Sequence, residues 1–548
     1  MRRLLIATSF GWLLSLALVS RPVAAPPPQA APAQPAHAAP IFDTSHNCVA
    51  CHNGLTTASG EDISFGTAWR ATMMANSARD PYWQASVRRE AIDHPSAVHE
   101  IEDECSVCHM PMARTMAVAN GRAPQIFAHL PVGVQTSPEA RLAADGVSCA
   151  LCHQMTADGF GTPGSFTGGY VVNAAGPATA RPVFGPFPVD VGRTRLMHSA
   201  TGFVPTEAAH IRQSEMCATC HTLYTKALGP DGKVVGELPE QVPYLEWRHS
   251  AFRAERSCQS CHMPMVMEPT RVSSVLGDPR EGVARHDFRG GNFFMLRMLN
   301  RYRVELGVEA LPQELDAAAR ATIDHLARES ATVSIDRAAL AGGRLTFDVV
   351  AGNLTGHKLP TAYPSRRAWL HVTVRNRAGT TVFESGAITP EGLIRGNDND
   401  EDAAKVEPHH REIGSASAVQ IFESVMGDPA GAPTTGLLKA TRYLKDNRLL
   451  PRGFDKATAH KDIAVYGDAR EDTDFSDGGD RVRYAVEVAP ASGPFRVEVE
   501  LCYQPIGFRW AENLSTYDAP ETRRFTTYYR SMSAASMAVL ARSQTTVR

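Results

Sequence analysis

The sequence predicts a chain in two parts: an irregular domain of short helices and long loops, then an antiparallel β-sandwich-like domain closed by a C-terminal helix. Three observations carry this reading. Ten of the 11 cysteines fall in five tightly spaced pairs between about residue 41 and residue 295. The same stretch is broken by Gly, Pro and Ala, most densely over 160–191, as wrapping loops are. From Ala331 onward apolar residues alternate with period two, the mark of half-buried strands.

The cysteine pairs are copies of one pattern: Cys48-Val-Ala-Cys51-His52, Cys105-Ser-Val-Cys108-His109, Cys149-Ala-Leu-Cys152-His153, Cys217-Ala-Thr-Cys220-His221 and Cys258-Gln-Ser-Cys261-His262. C-x-x-C-H is the attachment signature of haem c. Two thiols add to the two vinyl groups of one haem, so they must sit on one short turn, and the adjacent His ligates the iron from the proximal side. By chance a chain of this length holds on the order of 0.01 such matches. Zinc ribbons bring two pairs together over a spacer of about 15–20 residues, and disulfides give no reason for the His. Five haems share the segment 41–295, about 50 residues each, too few to build an ordinary side-chain core. The first part is therefore a multihaem domain, with short helices and loops around stacked haems that form much of its apolar interior.

The remaining elements follow in order. Residues 1–25 read as a secretory signal peptide: Met1, Arg2 and Arg3 form a positive start, 4–19 are apolar, and Val23, Ala24 and Ala25 are small. Residues 26–40 are a Pro/Ala-rich linker. After the haem domain (41–295), residues 296–330 are a helical connector, with Leu315, Ala318, Ala319, Ile323 and Leu326 at helical spacing. The β domain spans 331–512, with strands over 333–335, 345–349, 369–374 and 381–383, and a late hairpin of 484–488 and 495–501 about Ala491-Ser-Gly493. Residues 513–548 carry the closing helix, over 521–542. The eleventh cysteine, Cys502, lies in an alternating strand and reads as a buried core thiol. The net charge of −3 gives no reason to expect nucleic acid or an anionic membrane surface. No stretch after the signal is long and apolar enough to span a bilayer, so no membrane span is expected in the mature chain.

The motif flanks carry a resemblance. Two motifs continue as Cys-His-Met-Pro (Cys108 to Pro111 and Cys261 to Pro264), one is preceded by Asp145-Gly146, and a Trp-centred segment recurs at Trp69-Arg-Ala-Thr-Met-Met74 and Trp247-Arg-His-Ser-Ala-Phe252. Gly356-His357-Lys-Leu-Pro360 also looks like a segment found downstream of haem domains in many bacterial multihaem cytochromes. The chain resembles the multihaem c-type cytochromes related to the tetrahaem electron carrier of ammonia oxidisers, as a pentahaem member. In those proteins a Trp-x-x-Ser-x-His segment often supplies a distal haem ligand; here Met74 and Phe252 stand at the His position. The resemblance implies electron transfer, and the signal-like start together with covalent haem attachment leads to the expectation of a carrier in the periplasm or otherwise outside the cytoplasm. Its partners would be redox proteins, either other cytochromes or a quinol-oxidising membrane protein.

Beyond the five proximal His, the haem region holds eight more: His46, His94, His99, His129, His198, His210, His249 and His286. His210, His249 and His286 are the first candidates for distal ligands, the first two because they precede motifs and the third because Gly290 and Gly291 follow it. His129, His198 and the downstream His357 come next, then His46 and the Met74 thioether; His94 and His99 sit in a charged stretch and read as solvated. An oxidoreductase with one open catalytic haem, acting on a small nitrogen or sulfur substrate, is the alternative. All five motifs keep their His, so the replacement that flags some catalytic haems is absent, and no catalytic residue is assigned. A haem-bearing binding module whose β domain docks a partner is a third reading. Finally, 397–402 and 472–480 are acidic loops. They read as solvated, with Ca²⁺ as the alternative, since oxygen donors at alternate positions can wrap that ion.

Overall fold

In the computed structural model the described residues are 40–174 and 180–548. The signal peptide and, but for Pro40, the linker lie outside them. The described residues form one compact unit. No helix among the described residues is long and apolar enough to cross a membrane.

Residues 41–295 fold as short helices joined by long loops; the longest helix, Pro81–Asp93, has 13 residues and is capped by the Asp80 carboxylate on the Tyr82 and Trp83 amides. Three two-stranded pairs interrupt the loops: Arg181–Gly185 with Phe203–Glu207, Leu223–Leu228 with Val234–Gln241, and Thr270–Arg271 with Pro279–Arg280. The connector is two helices, Phe293–Arg301 and Pro312–Glu329.

The C-terminal part is built on two sheets. One has seven strands, with Arg367–Arg375 central between Ile421–Gly427 and Phe495–Gln504, and Ala538–Val547 outside the latter. The other has four, in the order Glu412–Ile413, Gly479–Glu487, Arg344–Asn353, Ala331–Ala341. Pairing is antiparallel except at Glu412–Ile413. Inward residues of both sheets share one core: Phe347, Val349, Val482 and Tyr484 from one, Leu370, Val372, Val497, Val499 and Leu501 from the other. Cys502 is buried beside Trp369 and Ile421 in a smaller cluster.

Two expectations are corrected. The segments around 484–488 and 495–501 are not a hairpin: the first pairs with Arg344–Asn353 and the second with Arg367–Arg375, so the chain changes sheets at Pro490–Ser492. Period two marks a strand and says nothing of its partner. The closing helix is shorter, Pro520–Met532, and the chain then ends in the strand Ala538–Val547, whose Ala, Ser and Thr content had blended with the helical period.

The acidic loops are not solvated at their key carboxylates. Asp400 is buried and paired with Arg367 at 2.7 Å, and also accepts the Ile394 amide. Asp472 and Asp480 are buried with His409, their ligand-type atoms all within 4.8 Å of one another. The His409 Nδ1 accepts from Gln420 Nε2 at 2.8 Å and from Asn447 Nδ2 at 3.1 Å. Both amides are oriented by their carbonyl oxygens, which accept the His410 and Glu423 amides. The imidazole proton therefore sits on Nε2 and points at Asp472 Oδ2, 3.1 Å away. That tautomer leaves no lone pair at Nε2 for a cation.

Candidate haem-attachment cavity

Each C-x-x-C-H segment lies in or starts on a short helix, Ser45–Val49, Val98–His109, Cys149–Cys152, Ser214–Ala218 and Cys258–His262, and the first and fourth continue past their helix as a turn. The His52, His153 and His221 amides donate to the carbonyl of the first Cys of their own motifs at 3.0, 3.0 and 2.9 Å. One helical turn puts positions i and i+3 on the same face, so both thiols of a pair point one way. All ten motif thiols and all five motif imidazoles line a single cavity of about 1770 Å³. A pocket for one small ligand is about 300–1,000 Å³. A continuous cavity larger than that, walled by five thiol pairs each with its imidazole, fits several covalently held haems.

The motifs adjoin across this cavity. The thiols of Cys48 and Cys149, of Cys108 and Cys220, and of Cys217 and Cys258 lie close enough to perturb each other's titration. The first and third motifs are also tied through Asp145, whose carboxylate accepts from the Ser45 amide at 2.9 Å and the Ser45 hydroxyl at 2.7 Å. Gly146 follows with φ +61°, where a Cβ would lie 2.7 Å from the Ala75 carbonyl; only glycine lets the chain into the third motif this close to 74–75. The two Trp segments do matching work. Trp69 Nε1 donates to Val147 O at 2.9 Å and Trp247 Nε1 to Arg256 O at 2.8 Å, in each case two residues before a motif cysteine.

Four proximal imidazoles are held by distant backbone. Nδ1 of His52 bonds the Val272 carbonyl at 2.6 Å, His109 that of Ser77 at 3.1 Å, His153 that of Phe184 at 2.6 Å, and His262 that of Arg289. A carbonyl can only accept, so Nδ1 carries the proton and Nε2 is left with its lone pair, the arrangement of a metal-bound imidazole. Burial keeps the rings neutral: it pushes His109 and His262 down to about 4 and lowers His153 and His221.

Two further histidines face proximal ones. His286 lies opposite His153, and His357 opposite His262, each pair with ring centroids 6.3 Å apart and planes 13° from parallel. A metal–imidazole bond is about 2 Å, so two rings held by one metal on opposite faces have centroids about 6 Å apart. Both second rings line the cavity and bond backbone through Nδ1, His286 to Ala284 O at 3.1 Å and His357 to Lys358 O at 2.9 Å. Burial pushes His286 down to about 3 and also lowers His357.

The other candidates are placed elsewhere. His210 and His249 do not line the cavity, and their Nε2 atoms bond the Met155 and Asp455 carbonyls, each at 2.9 Å. His129, on the turn Phe127–His129, and His198, on the helix Val191–Thr201, do not line it either. His46 is exposed beside Glu309, His99 is exposed, and His94 is buried away from the cavity rather than solvated. Met74 does line it, and so does Phe252. Sequence reasoning passed over His325, which reaches the cavity from the helix Pro312–Glu329 together with Ala317, Ala318 and Ala321. The signal was there: a His on a helical face of small residues, the kind of face that lets a flat group approach.

No family model matches this chain, and no curated protein matches it. Among solved structures the chain is similar to a penta-haem cytochrome c552 from Thermochromatium tepidum, at 15% identity and a TM-score of 0.50, over 92% of this chain and 100% of that one. The likeness is one of fold: helices and several antiparallel sheets consistent with a multihaem cytochrome-like arrangement.

Proposed function

We propose that this chain is an extracytoplasmic multihaem c-type cytochrome that holds five haems covalently and passes electrons between redox proteins. The observation that carries it is the convergence of ten motif thiols and five motif imidazoles on one cavity. Haem c bound there supplies one-electron exchange between ferric and ferrous iron. The chain's own residues do the rest. Each thiol pair tethers one group, and the carbonyls of Val272, Ser77, Phe184 and Arg289 hold the proximal rings with Nε2 presented inward. His286 and His357 supply second imidazoles, which favours electron shuttling over substrate binding at those two places. The signal-like residues 1–25 support export to the periplasm, where thiols and haem are joined, with another cytochrome or a quinol-oxidising membrane protein as partner. The motif flanks support kinship with the tetrahaem carriers of ammonia oxidisers.

Mass spectrometry of the mature protein tests this. Five covalent haem additions are expected, together with reversible reduction of the purified protein by a small electron donor. A stable, folded product with no covalent haem would sink the reading.

A further inference from the structure

We infer that at least two of the five haem irons have no imidazole on the distal side. This rests on the attachment of five haems proposed above. The count comes from the cavity wall. Eight histidines line it among the described residues: His52, His109, His153, His221 and His262 from the motifs, and His286, His325 and His357 from outside them. His286 and His357 are already opposed to His153 and His262. The irons of His52, His109 and His221 are then left with one imidazole among them, that of His325.

The histidines outside the wall do not make up the deficit. His210 and His249 are held through Nε2 by backbone carbonyls, and neither ring lines the cavity. No residue of the turn Phe127–His129 lines the cavity, and on the helix Val191–Thr201, which carries His198, the cavity-facing residues are Arg193, Leu196, Met197, Ala200 and Thr201. His52 itself has the phenyl of Phe65 as a ring neighbour, with centroids 6.4 Å apart, and a phenyl offers no lone pair to a metal. What the wall does offer is soft sulfur, in Met73, Met74, Met155, Met197, Met216 and Met263. The irons without a second imidazole take a thioether or keep an open face that accepts a small π-acceptor such as carbon monoxide.

Near-infrared magnetic circular dichroism and electron paramagnetic resonance of the intact oxidised protein count bis-imidazole irons directly, and a haem assay on the same sample counts haems. The expected result is five haems per chain with no more than three bis-imidazole irons. Four or five bis-imidazole irons would overturn the inference, whereas fewer than five haems would count against the attachment reading instead. His286→Ala and His357→Ala should each lower the bis-imidazole count by one with the haem count unchanged. His210→Ala, His249→Ala, His129→Ala and His198→Ala should leave it unchanged, and loss of a bis-imidazole signal in any of them would show that the cavity wall had been misread.

Discussion

The region before residue 296 and the region after 330 solve the burial problem in opposite ways. The later region fills its interior with its own side chains: Val372 on Val499 and Leu370 on Leu501 across one sheet, Phe347 on Tyr484 across the other. The earlier region gives its inward surfaces to a cavity, and its apolar clusters, such as Ile41, Trp83, Ile101 and Leu151 or Leu55, Ile63, Val266 and Val283, stand around it as walls. The contrast teaches that in the first region the attached group is structure. Helices of four to thirteen residues are too short to hold themselves, and helices this short draw their stability from what they pack on.

The largest expected effect follows from that. Replacing Cys149 and Cys152 together by Ala removes one haem from the centre of the contacts, since Cys149 adjoins Cys48 and Asp145 ties the two motifs. The variant should lose one haem by mass and destabilise the chain by more than about 5 kcal/mol, above the usual cost of a single large-to-small core change. Leu370→Ala in the sandwich should cost about 2–5 kcal/mol and leave all haems attached. If the double Cys variant melts like the parent, the first region has a core of its own and the contrast fails.

The same contrast decides what could be read from sequence. Strands announce themselves by local alternation, so the central strands of both sheets were legible at Leu345, Trp369 and Phe495. Their pairing was not, because partners such as Cys502 and Trp369 are far apart in the chain. The motif cysteines and histidines that line the cavity were legible because the pattern fits in five residues. The imidazoles that face motif imidazoles were only partly legible. His210, His249 and His286 stood first and His357 lower, yet of these only His286 and His357 face a motif imidazole across the cavity; standing just before a motif in the chain did not become nearness in space for His210 and His249. His325 was hidden inside an amphipathic helix whose period reads as core.

A second prediction tests the seam between the regions. Glu246, from the cavity side, meets Lys358, Asp446 and Arg448 from the sandwich side in a group of four buried charges. Lys358 Nζ lies 2.7 Å from Asp446, Arg448 makes a two-pronged contact with Asp446 at 2.8 and 2.7 Å, and Arg448 reaches Glu246 at 3.0 Å. Glu246 also accepts the Lys358 amide and the Thr361 hydroxyl, on either side of Leu359 and Pro360. Lys358→Met leaves two carboxylates against one guanidinium in the interior. It should cost about 3–5 kcal/mol in denaturant unfolding, the range for breaking a buried pair. Arg285→Ala, which breaks the partly exposed bidentate pair with Glu61, should cost no more than about 1 kcal/mol. Equal losses in the two variants would mean that the seam is no drier than the surface.

The smallest effect is a pH slope that belongs to the sandwich alone. Asp480 is buried, its Oδ2 accepts from Gln420 Nε2 at 3.0 Å, and its Oδ1 has no hydrogen-bond partner. Burial, with Asp472 close by, raises it from the usual 3.8 to about 7. Below about pH 4 the carboxyl is protonated in both the folded and the unfolded chain, so it contributes no slope. Between there and about 7 the folded chain holds one more proton than the unfolded chain, and stability falls as pH rises, by about 1.4 kcal/mol per unit. Above about 7 the buried carboxylate is charged and the penalty is complete. Asp480→Asn keeps an oxygen for Gln420 and removes the titration. Its stability relative to the parent should therefore grow from about pH 5 to about pH 8, with haem content and spin state unchanged. A difference that stays flat across that range would mean that Asp480 is ionised throughout and that a cation beside it, not a proton, satisfies the free oxygen.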